Sequence, residues 1–229
     1  MSAQKSTRTR RANGARDPER SRASILNAAT AEFARYGLGG ARVDRISARA
    51  GTNKRMLYYY FRDKDNLFLS ALEGCYSRIR AAERELDLEH LAPRAALARL
   101  VEFTWNYFIE HPEFMTLLNS ENLHKGRHLR RSPRVPQLHS PLVETLRGIL
   151  RRGERAGVFR KGVDPVQLYI SIAGEGYFYL SNRYTLSQIF KRDLMTRWAL
   201  AARARHNVAM IVSALACSTP ARLNRIVKR

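Results

Sequence analysis

The segment from Val43 to Lys64 constrains the fold more than any other part of the chain. Two short amphipathic runs flank Gly51, and a glycine can take the left-handed backbone that ends a helix without a steric penalty from a Cβ. Thr52 or Asn53 follows at the position of an N-cap, where a side-chain oxygen accepts a backbone N–H of the next helix. The segment therefore predicts two short helices joined by a tight turn, the layout of a helix-turn-helix.

The second of these helices has an apolar face and a polar face. Met56, Leu57 and Phe61 fall at helical spacing and are expected to pack inward. The remaining side chains lie near the start of the helix or on its outer face, and they are Thr52, Lys54, Arg55, Tyr58 and Tyr59. In a helix-turn-helix this is the end of the helix that enters a DNA major groove.

Three motifs in this region carry a resemblance to a known family. They are Ala48-Arg-Ala-Gly51, Leu57-Tyr-Tyr-Tyr-Phe61, and Asp63-Lys64-Asp65 with Leu67. Over residues 18–81 the chain resembles the TetR family of bacterial transcriptional regulators, which are all-α homodimers with a three-helix DNA-binding head and a larger C-terminal domain. The resemblance implies an all-α fold and three partners: a double-stranded DNA operator, a small-molecule effector and a second copy of the chain.

The resemblance also assigns DNA contacts to individual residues. Bases would be met by Lys54, Arg55, Thr52 and Tyr59, and phosphates by Tyr58, Tyr60 and Lys64, with Asn53 in the same DNA-binding set. For Tyr60, a half-buried aromatic edge is an equal alternative. Arg42 stands where the family usually has Thr or Ser, and an arginine cannot accept as an N-cap, but it can reach a phosphate.

Positive charge dominates the chain, which has a formal net charge of +21 and a pI near 10.9. Such a charge draws a protein to a polyanion, although RNA or an anionic membrane surface would satisfy it as well as DNA. The basic, polar composition of residues 1–17 predicts a disordered arm, which would lie along DNA phosphates or in a minor groove. The alternative is that this segment is only a solubilising tail. Residues 218–229 predict a flexible basic tail.

Other classes of protein fit the sequence poorly. No secretory signal or membrane span is visible, so we expect a cytoplasmic protein. Cys75 and Cys217 lie in apolar helical patterns and are expected to be buried, reduced thiols. Because metal-ligand spacings, phosphate loops and nucleophile elbows are missing from the sequence, we expect no cofactor, no bound metal and no enzymatic activity.

Residues that typically begin or end helices recur along the chain, and strand patterns are nearly absent. Helix starts are predicted at Asp17-Pro18, Asp63, Pro93, Pro112 and Asp164-Pro165, and helix ends at Gly37 and Gly157. About nine helices are expected, the last from about 192 to 217, with irregular structure at 126–141. The DNA-binding domain would span residues 18–65, and the effector-binding and dimerisation domain residues 66–217.

The last two predicted long helices carry small residues that allow close helix packing. These residues are Ala173, Gly174, Gly176, Ala199, Ala202 and Ala209. The resemblance implies that the two helices pair with their copies in a second subunit, as a four-helix interface. The alternative is that both are buried within their own subunit.

A ligand site is expected among the C-terminal helices, where aromatic and polar residues recur. The candidates are Trp105, Phe108, Asn119, Asn122, Glu175, Tyr177 and Phe178. An aromatic stripe at helical spacing is more often core than pocket, so the core is the alternative for each residue. Glu175 and Asn122 are the better candidates, since a polar side chain buried among apolar ones needs a partner.

The function that these patterns favour is a ligand-responsive repressor. A homodimer would bind an inverted-repeat operator, and an effector would release it by shifting the two recognition helices out of successive major grooves. The second half of the chain also resembles regulators of catabolic operons for small nitrogen-containing or aromatic acids. The alternatives are a non-specific architectural DNA-binding protein and an enzyme.

Overall fold

The computed structural model describes residues 17–217 and folds them into ten α-helices. Their bounds are α1 Pro18–Gly40, α2 Val43–Arg49, α3 Lys54–Phe61, α4 Lys64–Arg84, α5 Pro93–Glu110, α6 Pro112–Leu123, α7 Arg134–Arg155, α8 Pro165–Ser181, α9 Arg183–Phe190 and α10 Arg197–Leu215. In this range the remaining elements are a 3-10 helix at Leu129–Arg131 and an isolated bridge between Phe159 and Ala216. The all-α prediction is confirmed. Of the predicted arm at 1–17 only Asp17 is described, and it is the N-cap of α1; the rest of the arm and the predicted tail at 218–229 lie outside the described residues.

Side-chain caps fix the starts of the helices that position the DNA-binding region. Asp17, Asn53 and Asp63 each accept a hydrogen bond from a backbone N–H in the first turn of α1, α3 and α4, at 3.0, 3.0 and 2.7 Å. Asp164 does the same for α8 at 2.8 Å, and Thr196 for α10 at 3.2 Å. Each cap satisfies a donor that has no partner within its own helix.

About nine helices were expected and residues 17–217 contain ten, because α9 was not anticipated. The final helix expected from about 192 to 217 is present as α10, which begins after Thr196. α9 precedes it and ends where Lys191 takes left-handed backbone with φ 50°. α9 has no fully buried side chain. It therefore offers no core stripe from which a helix could be predicted.

α7 begins earlier than the sequence suggested. Irregular structure was expected for 126–141, but α7 starts at Arg134 and continues through Pro141. The Ser132 hydroxyl accepts hydrogen bonds from two backbone N–H groups of the first turn, both at 3.3 Å. The buried face that follows, which includes Leu146, supplies the packing that holds the helix together across the proline.

The predicted helix end at Gly37 appears as a kink, and the end near Gly157 is confirmed. Gly37 has φ 64° and ψ 179°, yet helical structure resumes and α1 continues to Gly40. α7 ends at Arg155, and Gly157 has φ 68°. A glycine adopts such positive φ values without a Cβ penalty.

The two cysteines differ in exposure. Cys75 is buried as expected, but Cys217 is exposed, because it lies beyond the end of α10. Among residues 17–217, no group of three His, Cys, Asp or Glu side chains is arranged to hold a metal ion. Nor does that range contain a helix long and apolar enough to cross a membrane.

Two clusters of buried apolar side chains form the core. The first runs from α1, α2 and α3 along α4 into α5 and α6, and in it the rings of Phe33 and Phe68 meet edge to face with centroids 5.2 Å apart. The second lies between α5, α7, α8 and α10 and includes Leu146 and Phe159. Because α4 shares its core with the helix-turn-helix, a movement of α4 bears directly on α3. The domain boundary at 65/66 falls inside the first cluster and stays a prediction.

Candidate DNA interface and effector cavity

The turn between α2 and α3 has the geometry that the sequence predicts. Gly51 has φ 62°, and the backbone N–H groups of Gly51 and Thr52 donate to carbonyls in the last turns of α2 at 3.1 and 3.0 Å. Carbonyls in the last turn of a helix lack the partners that a continuing helix would supply, and these bonds satisfy them. Asn53 rather than Thr52 is the N-cap of α3, since its Oδ1 accepts the Met56 N–H at 3.0 Å.

α3 buries one face and exposes the other. Leu57 and Phe61 are buried in the first core cluster, whereas 46% of Tyr58 and 76% of Tyr59 is exposed. Tyr60 is half-buried, and its ring meets that of Tyr59 edge to face with centroids 5.2 Å apart. Tyr58 and Tyr59 are thus available to an external partner, while Tyr60 fits the description of an aromatic edge.

Arg42, Asp44 and Lys54 meet at one edge of the helix-turn-helix. Lys54 at the start of α3 pairs with the Asp44 carboxylate of α2, and Arg42 Nη2 lies 4.0 Å from the same carboxylate. All three side chains are at least half exposed. An exposed ion pair contributes only about 0–1 kcal/mol, so a phosphate or base can replace Asp44 at small cost. Arg42 makes no side-chain cap, as expected.

The other predicted DNA-binding residues lie near the same helix starts. Arg55 is exposed in the first turn of α3, Thr52 is half-buried in the turn, and Lys64 is half-buried as the first residue of α4. Arg49 and Arg62 are further exposed cations at the ends of α2 and α3. Neither was predicted as a DNA contact, although both lie directly beside the motif in the sequence.

A buried carboxylate, also missed from the sequence, fastens α2 to α1. Glu32 is 4% exposed, and its Oε1 accepts the Arg42 backbone N–H at 3.1 Å and pairs with Arg45 Nε at 2.5 Å. Arg45 also donates to the Gly40 carbonyl at 2.8 Å, and its guanidinium lies 4.2 Å from the centroid of the Tyr36 ring. The sequence feature that could have indicated this role is that Glu32 directly precedes Phe33, which lies on the core face of α1.

The aromatic effector candidates on α5 are part of the core. Trp105 and Phe108 are 2% and 5% exposed and pack on α8, where a Cβ added at Gly176 would lie 3.1 Å from Phe108 and 3.6 Å from Trp105. Trp105 also meets Tyr179 edge to face at 5.4 Å between centroids. These contacts match the core alternative, and a ligand contact by either residue stays a prediction.

The polar effector candidates on α6 and α8 have partners within the chain. The Tyr177 hydroxyl donates to the Asn119 side chain, which joins α8 to α6. Glu175 is half-buried and pairs with Arg203 of α10, whose guanidinium also donates to the Glu175 carbonyl at 3.1 Å. These polar side chains therefore already have hydrogen-bond or ion-pair partners within the chain.

Two candidates do not face the domain interior, and that expectation was wrong for them. Asn122 is exposed, and its side chain donates to the Leu118 carbonyl at 3.0 Å. Phe178 is 60% exposed, because it lies on a face of α8 that no described helix of the same chain covers. Helical spacing alone cannot tell a face that meets the core from one that meets another surface.

A cavity of about 40 Å³ lies instead between α4 and α7. Its polar lining includes Arg80, Glu83 and Arg84 from the end of α4 and Thr145 from α7, and Leu142 is part of its apolar lining. Arg80 is 3% exposed, and its Nη1 lies 3.0 Å from Glu83 Oε2. Neither of these atoms, nor Arg80 Nε, has a hydrogen-bond partner among the described residues. Buried polar atoms without partners are rare and costly.

Aromatic rings from three helices surround Arg80. Its guanidinium lies 5.6 Å from the Tyr169 ring centroid, and the His139 ring lies 5.6 Å from Tyr169 and 5.0 Å from Tyr76. Burial, assisted by the charge of Arg80, lowers the pKa of His139 to about 4. Burial raises the pKa of Glu83 to about 7. This cluster was not predicted, because Arg80 and Glu83 belong to a charge-rich stretch typical of a solvated helix face.

Exposed apolar side chains line α8 and α10. On α8, Val166, Ile170 and Phe178 recur at four or eight residues and are 43%, 54% and 60% exposed. On α10, Trp198 and Met210 are 76% and 51% exposed. A patch of this kind on a soluble domain marks an interaction surface.

Comparison with family models decides the classification of the chain. Residues 25–71 match the model described as bacterial regulatory proteins, tetR family, and residues 93–211 match the model described as tetracyclin repressor-like, C-terminal domain. The chain belongs to the TetR family. The first match includes the whole turn at Gly51, and the second runs from the start of α5 to Ile211 in α10.

Curated relatives are TetR-family transcriptional repressors. The chain is 42% identical to the HTH-type transcriptional repressor NicS of Pseudomonas putida over 187 residues, which cover 82% of this chain and 88% of NicS. It is 40% identical to the HTH-type transcriptional repressor SCO4008 of Streptomyces coelicolor over 114 residues, which cover 49% of this chain and 55% of that protein.

A solved structure supports the TetR fold of the chain. The putative transcriptional regulator SCO4942 of Streptomyces coelicolor superimposes with a TM-score of 0.62 at 25% sequence identity. The match covers 85% of this chain and 98% of that protein. The agreement extends to the arrangement of an N-terminal helix-turn-helix followed by a helical C-terminal region.

Proposed function

We propose that this TetR-family chain is a ligand-responsive transcriptional repressor that binds an inverted-repeat operator as a homodimer. The observation that carries the proposal is the exposed surface of α3, where Lys54, Arg55 and Tyr59 project from a helix whose opposite face buries Leu57 and Phe61. Repression as the output is supported by NicS and SCO4008, which are both named repressors. Residues 18–65 act as the DNA-binding domain and residues 66–217 as the effector-binding and dimerisation domain, in the cytoplasm.

At the operator, the residues divide into two groups by what they touch. Lys54, Arg55, Thr52 and Tyr59 read base edges from the first turn and outer face of α3. Phosphates are contacted by Arg42, Tyr58, Tyr60 and Lys64, while Asn53 holds the first turn of α3 in register through its cap. The ion pair between Lys54 and Asp44 opens when DNA arrives.

The dimer forms through the exposed apolar faces of α8 and α10. Ile170, Phe178 and Trp198 leave water when these helices pack against their copies, and the exposed Gly174 permits close approach. Two-fold symmetry then presents two copies of α3 to half-sites about 34 Å apart. A single short helix reads only one half-site, so specific binding requires the dimer.

Binding of an effector in the C-terminal domain releases the operator. The signal passes along α4, which shares a core cluster with the helix-turn-helix at one end and borders the α4–α7 cavity at the other. The regulated genes are those of a catabolic operon, whose substrate or intermediate relieves repression. A non-specific architectural DNA-binding protein is the second candidate, favoured only by the net charge of +21.

Selection of genomic fragments by the purified protein tests this function. We expect an inverted repeat to be enriched and to survive competition by random duplex, with log affinity falling linearly with log salt concentration. The matched control is Arg151→Gln on an exposed part of α7, which should leave operator preference unchanged. A strictly monomeric protein, or equal affinity for operator and random duplex, would favour the architectural candidate instead.

A further inference from the structure

The basic connector, residues 124–134, leads from the end of α6 to the first residue of α7 and carries a concentrated positive charge. Five of its residues are Lys or Arg, and none is Asp or Glu. All five cations are exposed, and they are Lys125, Arg127, Arg130, Arg131 and Arg134. A charge run of this kind is by default a solvated surface, so a function for it depends on where the fold holds it.

A buried carboxylate anchors the basic connector to α6. Glu121 is 2% exposed, and its Oε1 accepts the backbone N–H groups of His128 and Leu129 at 2.8 and 2.9 Å. Its Oε2 lies 2.5 Å from His128 Nδ1, and the His128 ring, itself 1% exposed, meets Phe68 of α4 with centroids 5.0 Å apart. The cations around His128 therefore project from an anchored backbone, so less conformational entropy is lost when they bind a partner.

Two of the cations fasten the basic connector to the first turn of α4. Arg127 Nη2 lies 2.8 Å from Asp65 Oδ2, and Arg131 Nη2 donates to Asn66 Oδ1 at 3.1 Å. Both partners directly follow Lys64, the first residue of α4, which comes three residues after the end of α3. The basic connector therefore lies beside the junction of α3 and α4, at the edge of the surface that is proposed to face DNA.

The acidic groups at this junction do not cancel the positive charge. Asp63 is the N-cap of α4, and Asp65 is already paired with Arg127. Arg130 and Arg134 are exposed and have no ion-pair partner within residues 17–217. Duplex DNA carries about one negative charge per 1.7 Å of its axis, so its backbone offers the closely spaced anions that such a row of cations can bind.

We propose that the basic connector is an accessory DNA-binding surface, which contacts phosphates of the operator duplex next to those contacted by Lys64. The inference rests on the proposed function and adds a contact from the C-terminal part of the chain to those of the helix-turn-helix. Arginine is suited to phosphate, because its planar guanidinium donates two parallel hydrogen bonds. A phosphate contact carries no sequence information by itself. The basic connector therefore adds affinity and fixes the position of the protein on the duplex, while α3 selects the bases.

Two charge-matched double variants of the full-length protein test this surface by anisotropy titration against labelled DNA. Arg130→Gln/Arg134→Gln removes two cations that do not fasten the basic connector to α4. The control, Arg151→Gln/Arg155→Gln, removes the same charge from exposed positions that begin about 26 Å further along α7. That separation exceeds the Debye length of roughly 10 Å at 0.1 M salt, so the control reports the effect of net charge alone.

The connector variant should reduce the slope of log affinity against log salt concentration by about two, on the selected operator and on a random-sequence duplex of equal length. Its loss of affinity should be about tenfold greater at 50 mM than at 200 mM salt. The control variant should keep the wild-type slope. Arg130→Lys/Arg134→Lys retains both charges and should keep it as well, which distinguishes a phosphate contact from a role in folding.

Neutral methylphosphonate linkages, introduced into the operator one at a time, locate the contact. At a phosphate that the basic connector touches, the substitution should weaken binding of the wild-type protein but have little further effect on Arg130→Gln/Arg134→Gln. The reason is that the two changes remove the same interaction. Should the double variant lose its helical circular dichroism, Arg130→Gln alone replaces it, with an expected reduction of about one in the salt slope.

An unchanged salt slope in the folded connector variant overturns the inference. So does an equal reduction in the Arg151→Gln/Arg155→Gln control, or the absence of any phosphate whose neutralisation is coupled to the connector variant. If Lys64→Ala still lowers the slope in these cases, the proposed function stands. If no operator can be selected, the proposed function fails, and the slope on random duplex still decides whether the basic connector binds DNA.

Discussion

The helix-turn-helix and the seam between α4 and α7 each contain an ion pair, but the two pairs lie in opposite environments. Lys54 and Asp44 are 57% and 50% exposed, whereas Arg80 and Glu83 are 3% and 7% exposed. Exposed pairs contribute little and exchange partners freely. Buried pairs are held by their surroundings, and loss of one partner leaves a charge that water cannot reach. The exposed pair can therefore exchange Asp44 for an external anion at small cost, whereas opening the buried pair leaves a charge away from water.

The largest expected effect comes from breaking the buried pair. At pH 8, where the Glu83 carboxylate is charged, Glu83→Ala should lower the free energy of unfolding by about 3–5 kcal/mol, because Arg80 is left buried without a counter-charge. Urea denaturation of the purified protein measures it. The matched variant Asp44→Ala in the exposed pair should cost no more than about 1 kcal/mol. Equal losses for the two variants would remove the distinction between the regions.

Two glycines differ in what limits their substitution: packing at Gly153 of α7, and backbone conformation at Gly51 of the helix-turn-helix. A Cβ at Gly153 of α7 would lie 1.9 Å from the buried Phe159 ring, so Gly153→Ala should destabilise the protein by about 1–3 kcal/mol or more through overpacking. A Cβ at Gly51 would meet open space, but φ is 62° there, and Gly51→Ala should cost about 1–2 kcal/mol through backbone strain. Thermal unfolding should rank Gly153→Ala as the more harmful change. A reversed order would mean that Phe159 can move aside.

In the helix-turn-helix, charge should act on DNA rather than on stability. Arg55→Ala should weaken operator binding by about 1–3 kcal/mol and relax the preference at one base pair if it reads a base edge. Lys64→Ala should weaken binding about equally on all sequences and reduce the salt slope by roughly one ion. Anisotropy titrations against operator and random duplex separate the two. Identical behaviour of both variants on both duplexes would refute the division into base and phosphate contacts.

The Asn53 cap should have a smaller effect, which is local to α3. Asn53→Ala removes the acceptor for the Met56 N–H and should lower the free energy of unfolding by about 1 kcal/mol. Asn53→Asp retains an acceptor and serves as the control in chemical denaturation. If the alanine variant were as stable as the aspartate variant, α3 would be held by packing alone.

Near neutral pH, the smallest expected effect is a pH dependence that arises at the seam. The pKa of His139 is lowered from 6.5 to about 4 by burial and by Arg80, so the folded protein stays neutral there at pH values where the unfolded chain takes up a proton. The stability that this confers is present above pH 6.5 and is lost as pH falls toward 4. His139→Gln should flatten that part of the stability profile. The exposed His90, whose pKa is raised by Asp87, is the control, and His90→Gln should not flatten it.

Sequence patterns predicted the helix-turn-helix and its caps, but they did not predict the buried charged cluster between α4 and α7. The turn at Gly51 and the helix caps depend on the backbone and side chains of a few adjacent residues, so those residues suffice to predict them. The role of Arg80 depends on residues more than fifty positions away, since His139, Thr145 and Tyr169 close over it only in the folded chain. The ligand contacts of Trp105, Phe108, Asn119, Glu175 and Tyr177 stay predictions, and Asn122 and Phe178 are exposed.

The amino-acid sequence alone determined that the chain is helical, where most helices start, and which short helix exposes Lys54, Arg55 and Tyr59. These properties follow from hydrophobic periodicity, capping side chains and glycine backbone freedom, all of which act over a few residues. Only the tertiary structure decided which faces are buried and which are exposed. It put Arg80 inside the protein and Phe178 outside, because burial depends on which distant helix packs against a face, and no local pattern contains that information.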